Sequence, residues 1–145
     1  MKNIKKITAL ETFPVRHPVL RAEKPIESCN FDGDTLETTV HFGLYDSHNL
    51  LGVVSLFESK NDLFTHEKQF QIRGMAVLKQ HQKKGLGEKL IVHAEKHCSK
   101  QKPSLIWFNA RKEAVGFYKK MGYQTKGVFF FFQAEDGIRV RNVTG

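Results

Sequence analysis

Residues 73–94 constrain the fold most strongly, because two glycines join a strand-like run to a helix-like run. Residues 75–78 are continuously apolar and predict a central strand. Around and beyond Gly85 and Gly87, apolar residues recur at helical spacing, namely Leu86, Leu90, Ile91, Ala94 and Cys98. Glycine lets the backbone approach a ligand closely, and the first turn of a helix presents N–H groups to an anion. The pattern therefore predicts a strand, an anion-binding loop and a helix.

The charge around this loop matters, because loop glycines can also serve turn geometry alone. The chain has a formal net charge of +8, and basic residues are concentrated near the loop, at Lys79, His81, Lys83, Lys84 and Lys89. A basic surface attracts nucleic acid, an anionic membrane or a small polyanion. Concentration around one glycine loop favours a phosphate-bearing small ligand. The glycine spacing differs from that of the P-loop and of the dinucleotide-binding fingerprint.

The rest of the chain predicts an α/β unit within one domain of 145 residues. Strands are predicted at residues 3–8, 36–44, 51–57, 68–78 and 105–108, with a hairpin turning at residues 46–49. Helices are predicted at residues 9–21, bent or broken at Pro18, at residues 86–98, and at residues 111–121 with Gly122 as the C-terminal cap.

Composition indicates a soluble protein of the cytoplasm. The hydrophobic fraction is 40%, and no apolar run approaches the roughly 20 residues that span a bilayer. The basic N-terminus is not followed by the apolar run of a secretory signal. Cys29 and Cys98 match no metal spacing and are expected to be reduced thiols in or near the core.

Two motifs in order give the sequence a family resemblance. Gln82-Lys83-Lys84-Gly85-Leu86-Gly87 matches the pattern Gln/Arg-x-x-Gly-x-Gly/Ala, and residues 117–123, Phe-Tyr-Lys-Lys-Met-Gly-Tyr, match Phe-Tyr-x-x-x-Gly-Phe/Tyr. In both, the chain resembles the Gcn5-related N-acetyltransferases, the GNAT superfamily. Residues 73–77 resemble the fourth strand of that family, and residues 107–111 stand where it has a fifth strand and an asparagine. The resemblance covers residues 3–127.

The resemblance implies an α/β fold with a mixed, mostly antiparallel central sheet flanked by helices, the GNAT-like acyl-CoA N-acyltransferase fold. It implies a single domain at residues 1–128 that transfers an acetyl group from acetyl-CoA to a primary amine by direct attack. Such a reaction needs a deprotonated amine, an oxyanion stabiliser and an acid for the leaving thiolate, but no metal.

The resemblance also implies roles for individual residues. The backbone of Met75 and Val77 would pair with the pantetheine arm like an added strand. The loop would hold the pyrophosphate, with cofactor contacts from Gln82, Lys83, Lys84, Gly85, Leu86 and Gly87. Asn109 and Phe117 would join the cofactor-binding residues, Asn109 near the pantetheine or acetyl group. Tyr118 would give a proton to the departing thiolate, since a tyrosine with a pKa of about 10 is protonated at neutral pH.

Structural alternatives stay open for several of these residues. Tyr118 lies in an amphipathic helix and could be a core residue, and Asn109 could cap the helix that follows. Lys83 could be a solvated charge. Arg73, in an apolar strand, needs a partner if it is buried.

Residues of the N-terminal half are candidates for the acceptor site. His41 could bind or deprotonate the substrate, although a strand histidine with satisfied hydrogen bonds is the simpler interpretation. An acceptor site beside the first helix could include Arg16, His17 and Arg21. The sequence assigns no general base, acceptor, acyl preference or oligomeric state, so a monomer and a homodimer are both open.

The C-terminus departs from the family pattern. Four phenylalanines, residues 129–132, precede Gln-Ala-Glu-Asp-Gly-Ile-Arg, which is the translation of CAA GCA GAA GAC GGC ATA CGA. That string resembles a common sequencing adapter, and an upstream thymine run would encode the phenylalanines. The hypothesis is that residues 129–145 are a non-native tail and that the sheet lacks its final strand.

Three functions are compatible with the sequence. The leading interpretation is an active N-acetyltransferase, with variation in the acyl group or acceptor. The alternative is a nonenzymatic CoA-binding or sensor domain of the same fold. A nucleic-acid-binding domain is least favoured, because no aromatic residues are interleaved on a basic element.

Overall fold

A computed structural model of the chain describes residues 1–101, 104–109, 114–126, 129–135 and 138–139. The chain divides into two compact units. The first contains Met1–Phe57 and Arg73–Ala94, and the second contains Glu58–Ile72 and Glu95–Gly145. Each unit is described by itself below.

The first unit is an antiparallel sheet with helices. Its strands are β1 (Lys2–Ile7), β2 (Val40–Asp46), β3 (Asn49–Glu58) and the C-terminal half of β4 (Lys68–Val77). Strand β1 pairs antiparallel with β2, and β2 pairs antiparallel with β3 through a turn at Ser47, whose φ is 56°. The predicted hairpin is confirmed.

Strand β2 begins four residues later than the predicted start at Leu36. The intervening backbone is used in turns, since the amide of Leu36 donates to Gly33 and that of Thr39 donates to Leu36. The Thr39 hydroxyl also donates to the Gly33 carbonyl, at 2.6 Å. These local bonds compete with strand pairing, which propensity alone does not reveal.

Two helices begin in this unit. Helix α1 (Phe13–Leu20) follows a 3-10 turn and contains Pro18, as the sequence predicts. Helix α2 (Leu86–Ser99) follows the glycine loop. A buried cluster of Val15, Val53 and Ala76 is covered by partly buried side chains, namely Ile7, Val19, Leu20, Leu50 and Leu78.

The second unit has a mixed sheet. Its elements are the N-terminal half of β4, β5 (Ser104–Asn109), helix α3 (Val115–Lys120), β6 (Gln124–Lys126), β7 (Phe129–Glu135) and β8 (Ile138–Arg139). Strand β5 is parallel to β4 and antiparallel to β7, while β6 and β8 both pair antiparallel with β7. The predicted helix at 111–121 is confirmed from Val115, and its residues 111–113 lie outside the described residues.

The phenylalanine run forms strand β7, where the sequence predicts a missing final strand. Phe129 and Phe131, two residues apart, share one face and pack against the cluster of Phe64, Leu105 and Trp107. Their ring centroids lie 5.4 Å from Trp107 and 5.1 Å from Phe64, respectively. Aromatic residues have high strand propensity, which accounts for the difference. The proposed adapter origin of residues 129–145 concerns the gene and stays a prediction.

Candidate active site and cofactor loop

The loop that begins after β4 is fixed at its start by hydrogen bonds to neighbouring strands. The Leu78 amide donates to the Leu51 carbonyl at 2.8 Å, and a 3-10 turn follows at Lys79–His81. The Gln82 side chain folds back and donates from Nε2 to the Val77 carbonyl at 2.9 Å. Gln82 therefore holds the loop against the end of β4. Because its side-chain amide nitrogen is already bonded, the backbone of Gln82 is more available to a ligand.

The loop then takes a backbone conformation suited to an anion. Lys83 and Gly85 both have left-handed φ, at 65° and 78°. When left-handed residues alternate with right-handed ones, successive N–H groups point inward and form a concave anion site. A Cβ at Gly85 would meet nothing within 4 Å, so this glycine is required for its backbone conformation and borders open space.

Helix α2 adds its own N-terminus to the loop. The Lys89 amide makes a helical bond to the Gly85 carbonyl at 3.2 Å. Helix geometry gives the preceding amides, those of Leu86, Gly87 and Glu88, no acceptor of their own within the helix. The Leu86 side chain is buried and anchors the loop, so only its backbone can contact a ligand. Lys83, Lys84 and Lys89 are exposed and add positive charge beside these amides.

The strand that precedes the loop is irregular next to the predicted pantetheine residues. Met75 and Val77 are half-buried in β4. Gly74, just before Met75, has a φ of +65°, and a Cβ there would lie 3.0 Å from the Phe31 ring and 3.2 Å from Arg16 Nε. Both its conformation and its neighbours therefore require glycine.

In the second unit, the turn after helix α3 positions Tyr118. Gly122 has a φ of 94°, the Tyr123 amide donates to the Tyr118 carbonyl at 3.1 Å, and the Gly122 amide donates to Lys119 at 3.0 Å. These two bonds form a Schellman cap. In this cap Gly122 is the C′ residue and Tyr118 is C3, so the cap accounts for the glycine but not for the identity of the tyrosine. Gly122 is confirmed as the cap residue.

The Tyr118 side chain is buried among aromatic rings. It is 7% exposed, and its ring centroid lies 4.4 Å from Phe108, 5.0 Å from Phe117 and 6.0 Å from Tyr123. Burial raises the pKa of Tyr118 to about 12. The hydroxyl therefore keeps its proton throughout the neutral range, which an acid for a leaving group must do. Burial in the core and proton donation are compatible here.

Glu95 is a charged residue of helix α2 that is nevertheless buried. The Tyr123 hydroxyl donates to Glu95 Oε2 at 2.8 Å. This bond ties helix α2 to the turn that carries Tyr118. A signal was available in the sequence, because Glu95 lies four residues after Ile91 on the apolar stripe.

The other two predicted residues of this unit are more exposed. Asn109 is the last residue of β5 and pairs with Phe129, and the N-cap of helix α3 is Ala114, which makes no side-chain capping bond. Asn109 is thus not the residue that caps this helix. Phe117 is 37% exposed, so its ring is available to an apolar part of a ligand.

Arg16 is at the centre of a buried polar network in the first unit. Its side chain is fully buried, and its Nη1 donates to Asp34 Oδ2 at 2.6 Å and to the Cys29 carbonyl at 2.8 Å. Its Nη2 donates to Asp34 Oδ1 at 3.1 Å and to Ser55 Oγ at 3.0 Å. Arg16 is therefore a structural residue and does not line an acceptor site, as the sequence had suggested it could.

His41 belongs to the same network. Its Nε2 lies 2.9 Å from the Asp34 carbonyl, which can only accept, so Nε2 carries the proton and Nδ1 accepts from the Ser55 hydroxyl at 2.6 Å. Burial lowers the pKa of His41, against the opposing effect of Asp34. Both ring nitrogens are used structurally, which agrees with the simpler interpretation of this histidine. His17 bonds the Lys24 carbonyl at 2.8 Å at the surface.

Cys29 and Cys98 are both buried free thiols, as the sequence predicts. Burial raises the pKa of Cys98 far above its ordinary value. Within the described ranges, no group of three or more His, Cys, Asp or Glu side chains is arranged to hold a metal ion. None of the helices in the described part of the chain is both long and apolar enough to cross a membrane.

Known protein sequences are similar to this chain along most of its length. The family model described as "Acetyltransferase (GNAT) domain" matches residues 24–141. The chain is 31% identical over 127 residues to "Uncharacterized N-acetyltransferase YitI" of Bacillus subtilis (strain 168), covering 88% of this chain and 85% of that protein.

Solved structures show the same fold at low sequence identity. An aminoglycoside 6'-N-acetyltransferase complexed with coenzyme A gives a TM-score of 0.74 at 11% identity, covering 91% of this chain and 97% of that one. A GNAT family acetyltransferase from Brucella melitensis in complex with acetyl-CoA gives 0.70 at 17% identity, covering 92% and 88%. The predicted α/β fold with a mixed sheet flanked by helices is confirmed.

Proposed function

This chain belongs to the GNAT acetyltransferase family, and we propose that it transfers an acetyl group from acetyl-CoA to a primary amine. The observation that supports this proposal best is the geometry of residues 82–87. Two left-handed residues, Lys83 and Gly85, precede a helix N-terminus that carries exposed lysines. That arrangement suits a pyrophosphate, which is doubly anionic and rich in acceptor oxygens.

The donor would be held by backbone groups on both sides of the loop start. The amides of Gly85, Leu86 and Gly87 bind the pyrophosphate, with Lys83 and Lys84 adding charge. The backbone of Met75 and Val77 pairs with the amides of the pantetheine arm. Since the Gln82 side chain is already bonded to Val77, its contribution is to keep the end of β4 and the loop in register.

The transfer itself is a direct displacement. The neutral amine nitrogen attacks the thioester carbonyl carbon, so that a C–N bond forms as the C–S bond breaks. Tyr118 gives its proton to the thiolate sulfur, the attacking nitrogen releases a proton to solvent, and the tyrosinate takes a proton back from solvent. Burial keeps the Tyr118 hydroxyl protonated before the leaving group departs, although the raised pKa also makes it a weaker acid than an ordinary tyrosine. Asn109 and Phe117 contact the acyl end of the cofactor.

A nonenzymatic CoA-binding or sensor domain is the second candidate. Such a domain would bind CoA with the same loop as the proposed enzyme but would not catalyse acetyl transfer. The buried position of Tyr118 is the observation that favours it, because a core tyrosine would be retained without chemistry.

Two measurements test the proposal. Calorimetry should show acetyl-CoA binding, and a thiol-release assay over a panel of primary amines should show turnover with at least one of them. Binding without turnover on a broad panel would favour the sensor. Absence of binding would refute both candidates. Lys6→Gln removes an exposed positive charge that is remote from the loop in sequence, and as a control it should bind acetyl-CoA as the parent does.

We propose the cytoplasm as the compartment, since acetyl-CoA is available there and both thiols are free.

A further inference from the structure

Two arginine side chains of the first unit meet on one aromatic ring. The guanidinium carbons of Arg21 and Arg73 each lie 5.2 Å from the centroid of the Phe31 ring. They are therefore separated by at most about twice that distance, and cation–π attraction holds both near the same place. All three side chains are half-buried, so the pair remains accessible to solvent.

Neither arginine has a carboxylate partner among the described residues. Arg21 Nη1 donates to the Leu20 carbonyl at 3.1 Å, and Arg73 Nη1 reaches the Asp32 carbonyl only at 3.5 Å, the limit of a hydrogen bond. Neither residue takes part in any ion pair within the part of the chain that the structure describes. Most of their N–H donors and both of their charges are therefore uncompensated by the residues that the structure describes.

A third arginine, Arg16, contacts the same ring, and a carboxylate compensates its charge. The guanidinium carbon of Arg16 lies 4.0 Å from the Phe31 centroid, yet both of its Nη atoms bond the carboxylate of Asp34. Its charge is neutralised inside the unit. The contrast marks Arg21 and Arg73 as a pair of guanidinium groups positioned by the fold and lacking an anion. Such groups bind carboxylate and phosphate oxygens in bidentate geometry.

The pair is next to the strand segment that would pair with the pantetheine arm of the donor. Arg73 is separated from Met75 only by Gly74, and the Phe31 ring lies 3.0 Å from the position of a Cβ at Gly74. An anion bound between the two arginines would therefore lie beside the backbone next to Met75. The donor's own phosphates are assigned to a different place, the loop at residues 82–87.

We propose that Arg21 and Arg73 bind an acidic group of the acceptor, so that the acceptor is an amine that also carries a carboxylate or a phosphate. The proposal rests on the proposed acetyl transfer. Arg21 and Arg73 are specificity residues in this scheme, and Phe31 holds them in position.

Matched pairs of amines test the acceptor class. One arm compares an amino acid with its carboxamide, and the other compares a phosphorylated amino alcohol with the parent alcohol. In at least one arm, kcat/KM should be about 10-fold or more higher for the anionic member, as expected for a charge-assisted hydrogen bond. The arm with the larger ratio identifies the acidic group. Equal values in both arms would overturn the proposal.

Variants then assign the preference to these side chains. Arg21→Gln and Arg73→Gln should each raise KM for the anionic amine about 10-fold, with little change in kcat or in KM for the neutral partner. Phe31→Leu, which keeps both charges, should give a smaller rise. Lys6→Gln is the matched loss of charge and should leave the preference intact. A preference that survives both arginine substitutions would contradict the assignment.

A binding measurement separates this inference from the proposed function. Calorimetry of the anionic amine against protein saturated with CoA should show binding that Arg21→Gln or Arg73→Gln weakens about 10-fold. If that binding occurs but no amine is acetylated, the enzymatic function fails and the anion site stands. If the variants instead weaken acetyl-CoA binding and leave amine binding unchanged, the arginines serve the cofactor and the inference is overturned.

Discussion

The loop at residues 82–87 and the turn at residues 118–123 position functional groups by opposite means. The loop is exposed, and its shape comes from left-handed backbone at Lys83 and Gly85. The turn is also set by a left-handed glycine, Gly122, but it fixes a buried side chain that aromatic rings surround. The loop offers backbone N–H groups, whereas the turn offers one hydroxyl.

The loop and the turn therefore tolerate different kinds of substitution. A surface loop whose proposed ligand groups are amides should be less sensitive to changes in its exposed side chains than to changes in its φ angles. A buried turn is sensitive to the loss of a single atom, because packing leaves no room for a substitute. Substitutions that separate donor binding from turnover therefore test the comparison directly.

The largest expected effect is on turnover by the buried hydroxyl. Tyr118→Phe removes one oxygen and keeps the ring, so kcat should fall about 100-fold or more while the Kd for acetyl-CoA stays within about twofold. Tyr45→Phe, in strand β2, removes an equivalent hydroxyl as the control. Stopped-flow or steady-state thiol release measures kcat, and calorimetry measures Kd. An unchanged kcat would leave Tyr118 as a packing residue only.

The next effect is on cofactor binding by the exposed loop. Gly85→Ala adds a methyl group to a residue with φ of +78°, and a left-handed conformation costs a non-glycine residue about 1–2 kcal/mol. The Kd for acetyl-CoA should rise about 10-fold with less effect on kcat at saturation.

Gly116→Ala is the matched control for stability. A Cβ there also meets nothing within 4 Å, but Gly116 lies in helix α3 without a positive φ. Its free energy of unfolding should rise by about 0.5–1 kcal/mol, since alanine is the better helix former. Thermal or denaturant unfolding of both variants gives the comparison. Equal stability changes would show that φ at Gly85 is not the constraint.

A smaller effect is expected for the bond that supports the turn. Glu95→Leu and Tyr123→Phe should show a coupling energy of about 1 kcal/mol or more in a double-mutant cycle of unfolding, because each removes one partner of the same 2.8 Å hydrogen bond. Both should lower kcat more than they raise the Kd for acetyl-CoA. If the stability changes are additive, the hydrogen bond between Glu95 and Tyr123 does not contribute to stability.

The smallest expected effect is the dependence of stability on acid pH. Burial lowers the pKa of His41, so the unfolded chain binds a proton near pH 6.5 while the folded ring stays neutral. The stability is therefore fully present above pH 6.5 and is lost as the pH falls through the folded pKa.

A substitution isolates this dependence. His41→Gln should flatten the acid side of the curve of unfolding free energy against pH, by at most about 1.4 kcal/mol per pH unit. His48→Asn, at the exposed hairpin turn, should leave the slope unchanged. Parallel curves for the wild type and His41→Gln would contradict the assignment.

Local patterns predicted most of the fold. The hairpin of β2 and β3, strand β4, the glycine loop, helix α2 and the Gly122 cap all follow from periodicity and turn residues within short windows. The start of β2 was predicted too early, because the hydrogen bond from Thr39 to Gly33 is a feature of a particular turn. Such a bond depends on the folded path of the chain.

Polar burial was the main feature that the sequence did not show. Arg16 reaches Asp34, 18 residues away, and Glu95 reaches Tyr123, 28 residues away. Neither pairing has a periodic signature. The glycine loop was predictable because its residues are contiguous, whereas residues 21, 31 and 73 are far apart in the sequence and meet only in the folded chain.

Gly74 has a consequence for the evolution of acceptor choice. Its φ strains any side chain, and Phe31 and Arg16 crowd the space that a Cβ would need. A saturation library at this position should therefore yield few members as active as the parent. Under the proposed acceptor site, laboratory lineages selected on different amines should change Arg21, Phe31 or Arg73 and keep Gly74.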